Sequence, residues 1–160
     1  MSNSKTLHRV VVGMDSVPRS DAPLNVAIDL ARRFDAEIEI VHGVKPPHHL
    51  WPDLSPHDVD EARKAIQTRL EGSLSGARLD FVSSPHRLVV QSTGHPAQLL
   101  MQRVTHPEAD LLVVGRHRRH GVLDFGGTLR AVLSSAPCPV WVQSGPVRVV
   151  RRILVPVDLS

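Results

Sequence analysis

One stretch of the chain carries most of its candidate chemistry. From Gly115 to Thr128 it reads Gly-Arg-His-Arg-Arg-His-Gly-Val-Leu-Asp-Phe-Gly-Gly-Thr, directly after an apolar run. If a helix begins near Gly126, Gly127 and Thr128, its first backbone N–H groups face outward, and the helix dipole and the threonine hydroxyl assist them in binding an anion. The pattern therefore predicts a phosphate-binding turn at the start of a helix.

The charged residues of this stretch support two interpretations. Arg116 and Arg118 could hold phosphate oxygens through bidentate, charge-assisted hydrogen bonds, but Arg116 to His120 also suits a solvated basic loop. Asp124 opposes a bound phosphate unless it pairs with an arginine or holds a metal. His117 and His120 have a spacing that chelates a metal only on a helical turn, and no further ligand is assigned, so we predict no metal site.

Apolar runs and helical spacings alternate along the chain. Strands are expected at Arg9–Asp15, Glu37–His42, Arg87–Gln91, Asp110–Gly115 and Pro139–Val142. Helices are expected from Ser20 or Asp21 to about Phe34, from Val59 to an end near Gly72 to Gly76, and over Ala97–Val104 with His95 as a candidate cap. A fourth helix is expected over Gly127–Ser135, with Leu129, Val132 and Leu133 facing inward. This order predicts an α/β fold, a five-stranded parallel open sheet with helices on both faces. Ligands of such sheets bind beyond the carboxyl ends of the strands.

Composition excludes several classes of protein. The 160 residues suit one domain, and an aromatic content of 3% without tyrosine argues against a surface that stacks nucleic acid bases. No apolar run reaches membrane-spanning length, and Met1 to Leu7 lacks a secretion signal, so we expect a cytoplasmic protein. The single cysteine, Cys138, is expected to be a packed side chain. No nucleophile and base can be paired from spacing, which predicts no efficient enzyme and at most a weak ATPase.

The end of the chain repeats its beginning. Arg152 to Asp158 matches Arg9 to Asp15 in strand character and in the position of the aspartate. We therefore expect one domain over residues 1–145, followed over 146–160 by a linker and the first strand of a truncated second copy. A chance likeness between two buried strands is the alternative.

Several segments together resemble the universal stress protein family. They are Val11 to Asp15, Ala27 to Arg32, Gly94-His95-Pro96-Ala97, Ala109 to Gly115, and Ala136-Pro137-Cys138-Pro139-Val140. The resemblance covers nearly the entire chain. It implies a parallel α/β fold of the adenine nucleotide alpha hydrolase type, frequent dimers or tandem pairs, cytoplasmic stress-related roles and, in one subfamily, ATP binding.

The resemblance also implies site residues. ATP-binding members have a glycine, two residues, a second glycine, nine residues, and then glycine followed by serine or threonine. Gly115 matches the first glycine, Arg118 replaces the second, and Gly126 matches the third, with the pair Gly127 and Thr128 one step further along in a shortened loop.

For the other end of the nucleotide, the resemblance implies that Asp15 contacts the adenosine and that Gly43 offers its backbone beside adenine. Arg116 or Arg118 would compensate for the missing glycine. The sequence thus predicts a stress-response regulator that binds ATP, with Mg2+, through a degenerate glycine motif. The alternative is a dimerisation or signalling module that binds no nucleotide and associates, as a homodimer or with a tandem domain, through Val140–Gln143.

Overall fold

The computed structural model describes residues 7–14, 21–44, 55–76, 86–92, 95–115 and 126–146, together with Arg152 and Leu154. Five strands and four helices alternate along these residues. The strands are β1 (Arg9–Gly13), β2 (Glu37–Val44), β3 (His86–Ser92), β4 (Leu111–Gly115) and β5 (Val140–Gln143). The helices are α1 (Asp21–Phe34), α2 (Pro56–Gly76), α3 (Pro96–Thr105) and α4 (Gly127–Ser135).

The strands form one parallel sheet in the order β3-β2-β1-β4-β5. The winding runs outward from β1 through β2 to β3 and reverses between β1 and β4. Gly13 lies in register with Val41 on one side and with Val114 on the other. The predicted five-stranded parallel sheet is confirmed, and its switch point lies between the ends of β1 and β4.

Helices cover both faces of the sheet because alternate strand residues point to opposite sides. Val10 and Val12 pack with α1 residues such as Leu24 in one apolar cluster. Val11 belongs to a second cluster, which includes Leu100 of α3 and residues of α4. The continuous valine run of β1 is therefore buried on both sides, as the absence of alternation predicts.

Three local predictions need correction. Leu133 does not face inward but is 48% exposed, because it lies about 100° around the helix from the buried Val132. His95 occupies the N-cap position of α3, yet its side chain makes no capping hydrogen bond. Helix α2 begins at Pro56, three residues before the predicted Val59.

The repeated segment near the end of the chain falls mostly outside the described residues. Arg152 and Leu154 are both exposed, and 91% of Leu154 is accessible to solvent. The second copy thus stays a prediction. Within the described parts of the chain, every helix is too short or too polar to cross a bilayer.

Candidate functional site

The carboxyl end of the sheet brings the predicted strand-end residues to one side of the molecule. Gly13 ends β1, and the Met14 N–H that follows it donates to the Val41 carbonyl at 2.9 Å. Gly43 lies two residues beyond Val41 on β2, and Gly115 ends β4, the neighbour of β1 on the other side. The carboxyl ends of parallel strands lie at the same edge of a sheet, so these backbones lie at one edge, beside the switch point.

Two glycines allow helices to pack closely at this edge of the sheet. A Cβ on Gly13 would lie 3.2 Å from a Leu100 methyl group of α3, and one on Gly115 would lie 3.1 Å from the Pro23 ring of α1. Both distances are tighter than ordinary van der Waals contact. The missing side chains therefore let α1 and α3 pack against the ends of β4 and β1.

The amino terminus of helix α4 follows a glycine cap. Gly126 is the N-cap, with φ +46° and no side-chain cap, and its carbonyl accepts the Arg130 N–H at 3.1 Å. The N–H groups of the first turn have no acceptor within the helix. Gly127 and Thr128 are exposed, whereas Leu129 is buried in the same apolar cluster as Val114 of β4. The first turn can therefore bind an anion with backbone N–H groups and the Thr128 hydroxyl.

The structure describes five of the eight predicted site residues. Gly43 and Gly115 lie at the carboxyl end of the sheet, and Gly126, Gly127 and Thr128 form the start of α4. Asp15, Arg116 and Arg118 lie outside the described residues. Their roles stay predictions from the sequence.

Sequence reasoning missed a buried histidine at the same end of the sheet. His42 of β2 is 5% exposed, and its Nδ1 lies 2.8 Å from the Met14 carbonyl oxygen. A carbonyl can only accept, so Nδ1 is the donor. A useful signal was present, because His42 follows the apolar pair Ile40 and Val41 and directly precedes Gly43.

A second cluster of buried charge lies at the opposite, amino-terminal end of the sheet. Both Glu39 carboxylate oxygens are bound, one by Arg9 of β1 and the other by Arg103 of α3, whose Nε lies 2.5 Å away. Arg9 also donates to the Arg103 carbonyl at 3.0 Å, and its backbone N–H donates to Asp110 at 2.9 Å. These hydrogen bonds and ion pairs join β1, β2 and α3 to one another.

Cys138 has the character of a packed side chain. It lies half-buried against the second apolar cluster, and burial raises the pKa of its thiol. A raised pKa disfavours the reactive thiolate at neutral pH. Among the described residues, no three histidine, cysteine or acidic side chains are grouped as a metal site would require.

Comparison with curated proteins finds relatives along most of the chain. It is 29% identical over 145 residues to universal stress protein A homolog 2 of Coxiella burnetii, covering 82% of this chain and 91% of that protein. It is 30% identical over 153 residues to universal stress protein Rv1996 of Mycobacterium tuberculosis, covering 86% of this chain. In the second case the chain spans only 44% of the relative's length.

Solved structures have the same fold. Universal stress protein UspA of Lactobacillus plantarum superposes with a TM-score of 0.65 at 21% identity, covering 85% of this chain and 97% of that one. A universal stress protein from Archaeoglobus fulgidus in complex with dAMP gives 0.57 at 20% identity, with coverages of 86% and 98%. A universal stress protein in complex with cAMP gives 0.58 at 21%, with coverages of 87% and 98%.

The family model for the universal stress protein family matches residues 6–143, from before β1 to the end of β5. The match covers all five strands and all four helices, and it agrees with the relatives and with the topology. The chain therefore belongs to the universal stress protein family.

Proposed function

We propose that this chain binds an adenine nucleotide at the carboxyl end of its sheet and acts as a nucleotide-responsive module. The observation that carries the proposal is the first turn of α4, capped by Gly126 at φ +46° and packed through Leu129 on the cluster that holds Val114 of β4. Dipole and N–H groups of such a turn favour a phosphate. Universal stress proteins of the same fold have been solved with dAMP and with cAMP, which supports an adenine nucleotide as the ligand.

The proposal divides the nucleotide between two groups of residues. Gly43 and Asp15 would hold the adenosine, and Gly115, Gly126, Gly127 and Thr128 would hold the phosphates. Arg116 or Arg118 would supply positive charge where the family motif has its second glycine. In support, Gly127 and Thr128 are exposed, and a Cβ on Gly127 would meet no atom of the described residues within 4 Å.

Calorimetric titration with ATP, with and without Mg2+, tests the proposal, and AMP, dAMP and cAMP compare the phosphate contribution. We expect Thr128→Ala to weaken ATP binding about tenfold, since it removes one charge-assisted hydrogen bond. Thr105→Ala is the matched control. Thr105 is the last residue of α3, is exposed, and donates its hydroxyl to the Met101 carbonyl. Absence of heat at millimolar ATP would reject nucleotide binding.

A second candidate function is association through β5, which would make the protein a dimerisation module. Strand β5 is one of the two edge strands of the sheet and pairs only with β4 among the described strands. Its residues Val140, Trp141 and Val142 are only partly buried. An unpaired strand edge is a template for another strand. Sedimentation of the wild type and of Val142→Asp tests this, with Val142→Thr as a control of similar volume. A wild-type monomer at every concentration contradicts it.

We also propose a tandem arrangement, with residues 146–160 leading into a second copy of the domain. The likeness of Arg152–Asp158 to Arg9–Asp15 supports it, as does the length of the mycobacterial relatives, of which this chain spans 44%. Mass spectrometry of the gene product from its native host tests the proposal. A product of 17.6 kDa would contradict it.

A further inference from the structure

His42 lies at the point where β1 and β2 separate. Their paired register ends at Gly13 and Val41, while β2 continues to Val44 in register with Ser92 of β3. The chain beyond β1 leads into Asp15, and β2 leads into Gly43. His42 is therefore next to one proposed adenosine contact in sequence and bonded to the residue before the other.

The Met14 backbone is held by β2 through both of its polar groups. Its N–H donates to the Val41 carbonyl at 2.9 Å, and its carbonyl accepts from His42 Nδ1 at 2.8 Å. The side chain thus supplies a hydrogen bond beyond the last paired residues of the two strands. A bond buried with a 5% exposed side chain is shielded from competing water.

The geometry points to His42 as a positioning residue for the adenosine end of the site. By binding the Met14 carbonyl, the imidazole holds the end of β1 against β2 beside Gly43, at the residue that precedes Asp15 in the sequence. This inference rests on the proposed nucleotide site and adds a residue to it. Because His42 acts through Met14 at the adenosine end, its replacement should lower the affinities for adenosine and for ATP by the same factor. Replacement of Thr128, at the phosphate end, should lower only the affinity for ATP.

Three substitutions at position 42 separate the hydrogen bond of the imidazole from the volume of its side chain. His42→Asn keeps a donor at the δ position, and His42→Gln moves the donor to the ε position. His42→Leu removes the donor and keeps a buried apolar side chain. We expect His42→Leu and His42→Gln to weaken the binding of adenosine and of ATP equally, by about tenfold. His42→Asn should bind both ligands with the affinity of the wild type.

Amide hydrogen exchange gives a readout that needs no nucleotide. The Met14 N–H is bonded to Val41, so its exchange reports the attachment of β1 to β2 at this point. The Leu112 N–H, bonded to the Pro139 carbonyl, is the reference, because it reports the pairing of β4 with β5, in which His42 takes no part. We expect Leu and Gln at position 42 to speed Met14 exchange about tenfold and leave Leu112 unchanged. His42→Asn should exchange like the wild type.

The outcomes keep this inference separate from the proposed function. If the wild type binds neither adenosine nor ATP, the proposed function fails, and Met14 exchange alone decides whether His42 fixes the strand end. Unchanged Met14 exchange in the variants, or an equal rise at Leu112, overturns the positioning role. If the leucine variant does not fold, the comparison of glutamine with asparagine decides, and equal behaviour of those two overturns it as well.

Discussion

At the scale of single residues, backbone conformation makes Gly126 different from the glycine beside it. A Cβ on Gly126 or on Gly127 would meet no atom within 4 Å, so space distinguishes neither position. Only Gly126 has a φ of +46°, a conformation that residues with a side chain rarely adopt. The start of α4 therefore depends on glycine at one position and tolerates a side chain at the next.

We expect Gly126→Ala to lower the free energy of unfolding by about 1 to 2 kcal/mol, the usual cost of strained backbone. Gly127→Ala, in the first helical position, should be neutral or slightly stabilising because alanine favours helix. Urea denaturation of both variants measures the difference. Equal losses would contradict a conformational role for Gly126.

At the scale of elements, a reciprocal capping box fixes the start of α2. The Ser55 hydroxyl and N–H donate to one Asp58 carboxylate oxygen at 2.7 and 2.9 Å, and the Asp58 N–H donates to the Ser55 oxygen at 3.2 Å. Pro56 occupies the first helical position, where its missing N–H costs nothing. These bonds explain why the helix begins before its first apolar residue, Val59.

The capping box makes the start of α2 sensitive to acid. The hydrogen bonds from Ser55, first from its side chain and then from its backbone, lower the pKa of Asp58 below the usual 3.8. A lowered pKa in the folded state stabilises the helix start above about pH 3.8, and the contribution is lost as pH falls through the lowered value. We expect Ser55→Ala to return the pKa of Asp58 toward 3.8 in a carboxyl NMR titration.

Asp60 provides an internal control for that titration. Its pKa is also lowered, mainly by the hydrogen bond from Arg63 on the same helix, and Ser55 takes no part. The pKa of Asp60 should therefore stay where it is in Ser55→Ala. An Asp58 pKa that does not rise would mean that another group holds the carboxylate.

At the scale of the whole molecule, the buried charges of Arg9, Glu39 and Arg103 join the centre of the sheet to α3. The Glu39 side chain is 7% exposed and the side chains of Arg9 and Arg103 are 9% and 24% exposed, so water screens their charges little. We expect Glu39→Gln to lower the free energy of unfolding by about 3 kcal/mol, because it leaves two guanidinium groups without their counter-charge.

The control for this prediction is a surface ion pair of the same types of group. Asp60 pairs with Arg63 and Lys64 on the exposed face of α2, where its side chain is 51% accessible. Asp60→Asn should leave the urea midpoint almost unchanged. A Glu39→Gln midpoint as close to the wild type as that of Asp60→Asn would show that the buried cluster contributes little.

The alternation of strands and helices and the parallel sheet follow from the order of the residues along the chain. Apolar runs such as Val10 to Val12 and Leu111 to Val114 have no polar face, so they require cover on both sides, and α4 was predicted with its observed bounds. The glycines at the carboxyl end of the sheet were also visible, because local conformation and strand ends depend on residues near in sequence.

Contacts between side chains that are far apart in the sequence could not be predicted and became visible in the folded chain. His42 and Met14 are 28 residues apart, and Arg103 and Glu39 are 64 apart, so their contacts depend on strand register and helix docking. Leu133 shows that burial within one helix is equally hard to predict. The spacing of apolar residues predicted an apolar face for α4, but it did not predict that Leu133 lies outside the part of that face that packs on the sheet. Which individual side chains meet depends on how the strands and helices pack on one another, and residues that are near in sequence do not specify those contacts.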